Sequence, residues 1–211
     1  MALAAASDSR PLHARQCWVF DLDGTLTVAV HDFGEMRTLL GVPPQMDIIE
    51  YVTQQPGARG DELRRRLDEL EHKYVSLARI APGAAHLLEQ LHRQNRRIGL
   101  LTRNTREVAL LVLARLGLAD YFPADSIVDR WSAEPKPHPG GLLKLLEHWQ
   151  AVGDNAVMVG DYLHDLLCGR AAGALTILVD PQRAFLWPEH ADLCVGSLEE
   201  ILAIVPPFEQ V

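Results

Sequence analysis

Two aspartates separated by one residue, Asp21 and Asp23, close a short uncharged run from Cys17 to Phe20 and are followed by Gly24 and Thr25. Like charges this close repel, so a fold that buries them must supply a cation, a shared proton or backbone N–H donors. A carboxylate at a strand end can attack phosphorus to form an acyl phosphate, and a second one nearby can protonate the leaving oxygen and then activate water. Asp-Gly alone is an ordinary turn pair. Three further polar clusters downstream give it more weight. Thr102 brings a hydroxyl suited to a phosphoryl oxygen, followed by Arg103 and Asn104. Lys136 sits between Pro135 and Pro137, which keeps it off a helix face and lets a fixed ammonium neutralise Asp21 and a phosphoryl oxygen together. Asp161 and Asp165 in GDYLHD stand four apart, a spacing that puts two carboxylates on one side of a turn, where oxygen ligands suit Mg²⁺.

The elements that must position these groups are legible in the periodicity. Apolar runs at 17–20, 98–101, 126–128, 155–159 and 175–179 read as short buried strands, with a last short strand and helix in CVGSLEEILAIV. Between them lie helical patterns: from Pro82 to about Gln94, from about Thr105 to Leu116, a stretch opened by Pro139, and one reaching about Ala172. Helices alternating with buried strands predict an α/β fold with a parallel sheet covered on both faces, and ligands then gather at the carboxyl ends of the strands. Capping boxes are expected at Asn104 with Glu107 and at Ser197 with Glu200. Residues 29–80 contain no credible strand. They read as a helical insertion: a helix through Phe33, Met36 and Leu40, a second one opened by prolines, a break at PGARG, and an amphipathic helix of about 17 residues from Asp61.

The chain has 211 residues, 48% of them hydrophobic and 23% charged, with a formal net charge of −8, which argues for a globular protein and against a nucleic-acid-polymer binder. No run approaches the roughly 18 apolar residues of a membrane span. Cys17, Cys168 and Cys194 have no CxxC spacing and read as buried free thiols in a reducing, cytoplasmic setting. The first sixteen residues read as a loose lead-in.

DLDGTLT resembles the first motif, D-x-D-G-T-[LV], of the haloacid dehalogenase-like hydrolases. TRN is similar to their second motif, with Arg103 intervening before Asn104; KPHP resembles the third; GDYLHD resembles the fourth, G-D-x-x-x-D. AAG at 171–173 is similar to a continuation found in the phosphoglycolate-phosphatase-like branch. The resemblance implies a Rossmann-like parallel-sheet core, 14–28 and 81–205, with a small all-helical C1-type cap, 29–80, hinged near 27–29 and 79–83. It further implies a Mg²⁺-dependent phosphatase acting on a small phosphorylated metabolite. In it Asp21 is the nucleophile and Asp23 the acid–base group, assisted by Thr102 and Lys136. Mg²⁺ is held by Asp21, Asp23 (through its backbone carbonyl), Asp161 and Asp165, and Gly24, Thr25, Arg103 and Asn104 line the substrate. In the insertion, His31, Arg59, Arg64, His72 and Lys73 are candidate contacts among ordinary surface residues. His138 and His164 receive no assigned role, though His138 suits capping of the helix that Pro139 opens. A sugar phosphomutase and a noncatalytic phosphate-binding protein share these motifs, and the residues leave monomer and homodimer open.

Overall fold

The computed structural model describes residues 10–205. The chain divides into two compact units, one comprising residues up to Val28 together with those from Arg79 on, the other Ala29–Ala78.

The first unit is built on six parallel strands: β1 Cys17–Phe20, β2 Arg97–Leu101, β3 Ile127–Val128, β4 Ala156–Gly160, β5 Leu175–Val179 and β6 Leu193–Val195, in the order β3-β2-β1-β4-β5-β6. The order reverses at β1, which pairs with β2 on one side and β4 on the other, Phe20 standing opposite both Leu100 and Val159. That reversal makes the carboxyl ends of β1, β2 and β4 the natural ligand crevice. β1 has no charged residue and is fully buried, as a strand covered on both faces must be. Cys17 and Val19 face a core shared with Leu142, Leu145 and Leu146 of α6 Gly140–His148, and with Cys168 of α7 Leu163–Ala171. Trp18 and Phe20 alternate with them to the opposite face and stack at 6.3 Å. Helix α4 Ala84–Arg93 packs along β2 and against α8 Leu198–Ile204. α5 Arg106–Arg115 connects β2 to β3.

Several sequence expectations are corrected. The lead-in is anchored in its described part: Arg15 is buried and donates to the Ala156 and Arg10 carbonyls, while Trp18 Nε1 donates to the Arg15 carbonyl; residues 1–9 lie outside the described residues. Helix α5 is capped by Thr105, which accepts the Val108 N–H, and not by Asn104. Ser197 makes no side-chain cap at α8, and the Glu200 carboxylate accepts from the Gly196 N–H and pairs with Arg183. Cys17 and Cys168 are buried free thiols as expected, Cys168 pushed up to about 12 by burial, but Cys194 is only half-buried.

The second unit is three helices, α1 Phe33–Leu40, α2 Ile48–Gln54 and α3 Gly57–Leu77, around Met36, Leu40, Ile48, Val52, Leu63, Leu67 and Tyr74. Phe33, at helical spacing with Met36 and Leu40, is 58% exposed and stays outside this core. Asp32 caps α1 and Asp47 caps α2, so Pro43 and Pro44 belong to the preceding turn and do not open the helix. PGARG interrupts the helical run only at its start: α2 ends at Gln54, Pro56 is extended and Gly57 stands at φ +60°, and α3 is already under way through Gly60. Gly60 is required there, since a Cβ would fall 2.0 Å from the Gln55 carbonyl oxygen.

The core face beneath the crevice sets stability. Leu142→Ala, at a fully buried position, is expected to cost about 2–5 kcal/mol, read as a lower denaturant midpoint in chemical unfolding.

Candidate active site

The site grows from the end of β1. The Asp21 N–H continues the ladder to the Val159 carbonyl at 2.9 Å, which fixes the backbone of that carboxylate beside β4. The chain then makes one wide turn, closed by the Thr27 N–H on the Leu22 carbonyl at 3.0 Å and carrying Gly24 at φ +88°. A side chain at Gly24 would meet Asp161 Oδ2 at 2.2 Å, so the glycine is what lets the two loops approach. Gly160 does the same for Asp165, whose Cβ lies 2.2 Å from where a Gly160 Cβ would stand.

Asp21, Asp161 and Asp165 each offer a carboxylate oxygen, and these lie within 4.8 Å of one another. Lys136 is buried between them: Nζ is 2.5 Å from Asp21 Oδ1 and 2.6 Å from Asp165 Oδ1. Asp165 Oδ2 also accepts the Tyr162 N–H at 3.1 Å, holding the carboxylate at the start of α7. Burial would lower the lysine, but Asp165 and Asp21 outweigh it and hold the ammonium above its ordinary value. Burial pushes Asp21 up to about 6 even though Lys136 opposes the rise, and burial with the repulsion of Asp21 and Asp165 pushes Asp161 up to about 8. One cation against three carboxylates leaves negative charge uncompensated, and three hard oxygen donors in such a group fit a divalent cation such as Mg²⁺.

The remaining expected residues form a second set. Asn104 Nδ2 donates to Asp23 Oδ2 at 2.5 Å, and the Asn104 N–H donates to Thr102 Oγ1 at 3.1 Å. The Thr102 N–H joins the Val128 carbonyl at 3.0 Å, placing this buried threonine at the end of β2. The Asp23 carboxylate does not belong to the group of three. Thr25, expected to touch substrate, is instead fully buried and donates its hydroxyl to Asp161 Oδ1 at 3.3 Å, orienting that carboxylate. Arg103 Nη1 lies 3.0 Å from His164 Nδ1, so the loops after β2 and β4 also meet directly. Nothing in the sequence signals that pairing between residues 61 apart. His138 Nδ1 accepts the Gly140 N–H at 3.0 Å and so caps α6. The Lys136–Pro137 peptide is cis.

The sequence model of the haloacid dehalogenase-like hydrolases matches residues 31–179. A haloacid dehalogenase-like hydrolase domain-containing protein of Arabidopsis thaliana is 32% identical over 174 residues, 77% of this chain and 69% of that protein. Pyrophosphatase PpaX of Bacillus cereus is 31% identical over 141 residues, 65% of this chain and 62% of that enzyme. The crystal structure of a hydrolase from Pseudomonas syringae superposes with a TM-score of 0.75 at 21% identity, covering 90% of this chain and 97% of that one, a likeness of fold.

The raised carboxylates carry a pH signature. The folded chain holds their protons more tightly than the unfolded chain, so without metal their contribution is most favourable below the ordinary value of 3.8 and is lost as pH rises toward about 8. The melting temperature in chelator is therefore expected to fall between pH 5 and pH 8. Added Mg²⁺ should raise it more at pH 8 than at pH 5, and Asp161→Asn should flatten the slope, all read by differential scanning fluorimetry.

Proposed function

Because the chain belongs to the haloacid dehalogenase-like hydrolases, we propose that it is a Mg²⁺-dependent phosphatase that cleaves the monoester of a small phosphorylated metabolite through an aspartyl-phosphate intermediate. One observation carries this reading: a buried lysine salt-bridged at once to Asp21 and Asp165, beside Asp161. Such a group pairs a nucleophile at a strand end with the positive charge that an incoming phosphate dianion requires.

An Asp21 oxygen attacks phosphorus as the bond to the leaving oxygen breaks, and the Asp23 carboxyl gives that oxygen its proton. In the second half, Asp23 takes a proton from water as the water oxygen attacks phosphorus. The bond to Asp21 breaks, inorganic phosphate departs, and both aspartates return to their starting forms. Lys136 holds Asp21 in place and compensates phosphoryl charge, and the Thr102 hydroxyl is a donor for a phosphoryl oxygen. Mg²⁺, held by Asp21, Asp161 and Asp165, would neutralise charge on the phosphoryl oxygens. Asp161 within the carboxylate group and Asp23 outside it distinguish this site from a lone nucleophile and support phosphoryl transfer over binding alone.

In this reading 14–28 and 81–205 form the catalytic core and 29–80 a C1-type cap. Among the described residues no helix is long and apolar enough to cross a membrane, and the free cysteines suit a reducing compartment such as the cytoplasm.

Purified protein with Mg²⁺ is expected to release phosphate from at least one member of a panel of sugar phosphates, nucleotides, phosphoglycolate and pyrophosphate, the last included because PpaX is a pyrophosphatase. Asp21→Asn should lower that rate by about 10³-fold or more while the circular dichroism spectrum stays unchanged. Full Mg²⁺-dependent release by the variant defeats the nucleophile assignment.

A further inference from the structure

Beside the carboxylates, the carboxyl edge of the sheet carries rings that packing leaves open to water. Tyr162, the residue after Asp161, is 51% exposed, and Trp187, on the loop after β5, is half-buried. Their ring centroids lie 4.8 Å apart with the planes at 75°, and the His164 ring stands 5.0 Å from Tyr162 at 83°. Loops leaving two neighbouring strands, β4 and β5, thus build one aromatic corner next to the carboxylate group. A single exposed apolar side chain is ordinary, but rings brought together at a site mark a contact surface. The main chain holds both halves of the corner. The Tyr162 N–H donates to Asp165 Oδ2 at 3.1 Å, and its carbonyl accepts the Asp165 N–H at 3.0 Å. Opposite, the Asp180 carboxylate accepts the Gln182 N–H at 2.9 Å and the Phe185 N–H at 2.8 Å, which folds the loop that brings Trp187 to Tyr162. Phe185 stands at φ +41°, where a bulky residue seldom sits, so the loop is shaped against local preference.

We infer that Tyr162 and Trp187 form a leaving-group subsite for a flat aromatic ring, so that the substrate is a phosphomonoester such as a nucleoside 5′-phosphate. This rests on the phosphatase reading and deepens it. Two planes at 75° offer a flat ligand one face to stack on and one edge to meet, the two arrangements that aromatic pairs prefer. Rings ordered in advance lose little freedom when a ligand meets them. Neither ring carries charge, which suits an uncharged base better than a second phosphate or a carboxylate. The connectivity agrees: Tyr162 stands one residue from Asp161, and a nucleotide base stands one sugar from its phosphate. A bare sugar phosphate would leave both rings against water.

Adenosine 5′-phosphate and ribose 5-phosphate lose the same primary alcohol oxygen and differ in the base, so the chemistry of departure cancels in their ratio. With Mg²⁺ present, kcat/KM for adenosine 5′-phosphate is expected to exceed that for ribose 5-phosphate by about 10-fold or more, the scale of one base stacked on an aromatic side chain. Trp187→Leu and Tyr162→Leu keep apolar bulk and remove a ring. Each should lower kcat/KM for the nucleotide by about 10-fold, mainly through KM, and for ribose 5-phosphate by less than about 2-fold. Tyr162→Phe keeps the ring and should keep the preference. A wild-type protein that does not prefer the nucleotide, equal losses on the two substrates, or a preference that survives both Leu variants overturns the subsite. Release of phosphate from other phosphomonoesters but from neither of these two overturns it while the phosphatase reading stands. Release from no phosphomonoester overturns both.

Discussion

The ammonium of Lys136, buried within 2.6 Å of both Asp21 and Asp165, is the interaction on which the rest of the site depends. Two unit charges about 4 Å apart interact by roughly 4 kcal/mol at an effective dielectric of about 20, a sizeable share of the roughly 5–15 kcal/mol by which a domain is stable. Three carboxylates in one group would therefore threaten the fold if nothing opposed them. Lys136 opposes two of them directly, while burial and the repulsion of Asp21 and Asp165 push Asp161 up to about 8. The uncompensated charge that remains is a liability for the bare fold and a ready attraction for a divalent cation.

The sheet supplies the geometry that lets these groups meet. β1 lies between β2 and β4, so loops leaving three adjacent strands open onto one edge. Two glycines then remove the side chains that would hold the loops apart, Gly24 against Asp161 and Gly160 against Asp165. Further bonds tie the loops to one another: Thr25 to Asp161, Asn104 to Asp23, and Arg103 to His164. Each links residues distant in sequence and fixes one loop at this edge of the sheet against another.

The family comparisons and the geometry support the reading from different directions. The matched region, 31–179, begins after Asp21 and Asp23, so the placement of those two aspartates comes from the strand-end motif and from the carboxylate group itself. The fold is shared with solved hydrolases at low identity. Shared architecture of this kind hosts different activities, so the reaction has to be argued from the site.

The sequence by itself determined the strand and helix order, because apolar runs of four or five residues bounded by polar clusters leave little alternative to buried parallel strands, as β1 and β4 illustrate. It also singled out Asp21, Lys136, Asp161 and Asp165 as candidates by residue type and motif, and the fold brings these four into one group. Helix starts were less legible: Thr105 and not Asn104 caps α5, and α3 begins at Gly57. Two polar residues side by side offer equivalent caps, and only the competing partner decides between them. That partner for Asn104 is Asp23, 81 residues away. Thr25 turning inward to Asp161 and Arg103 meeting His164 were decided in the same way, by tertiary structure. A side chain's hydrogen-bonding capacity is written in its type, but its choice of partner is set by which loops the sheet order brings within about 3 Å.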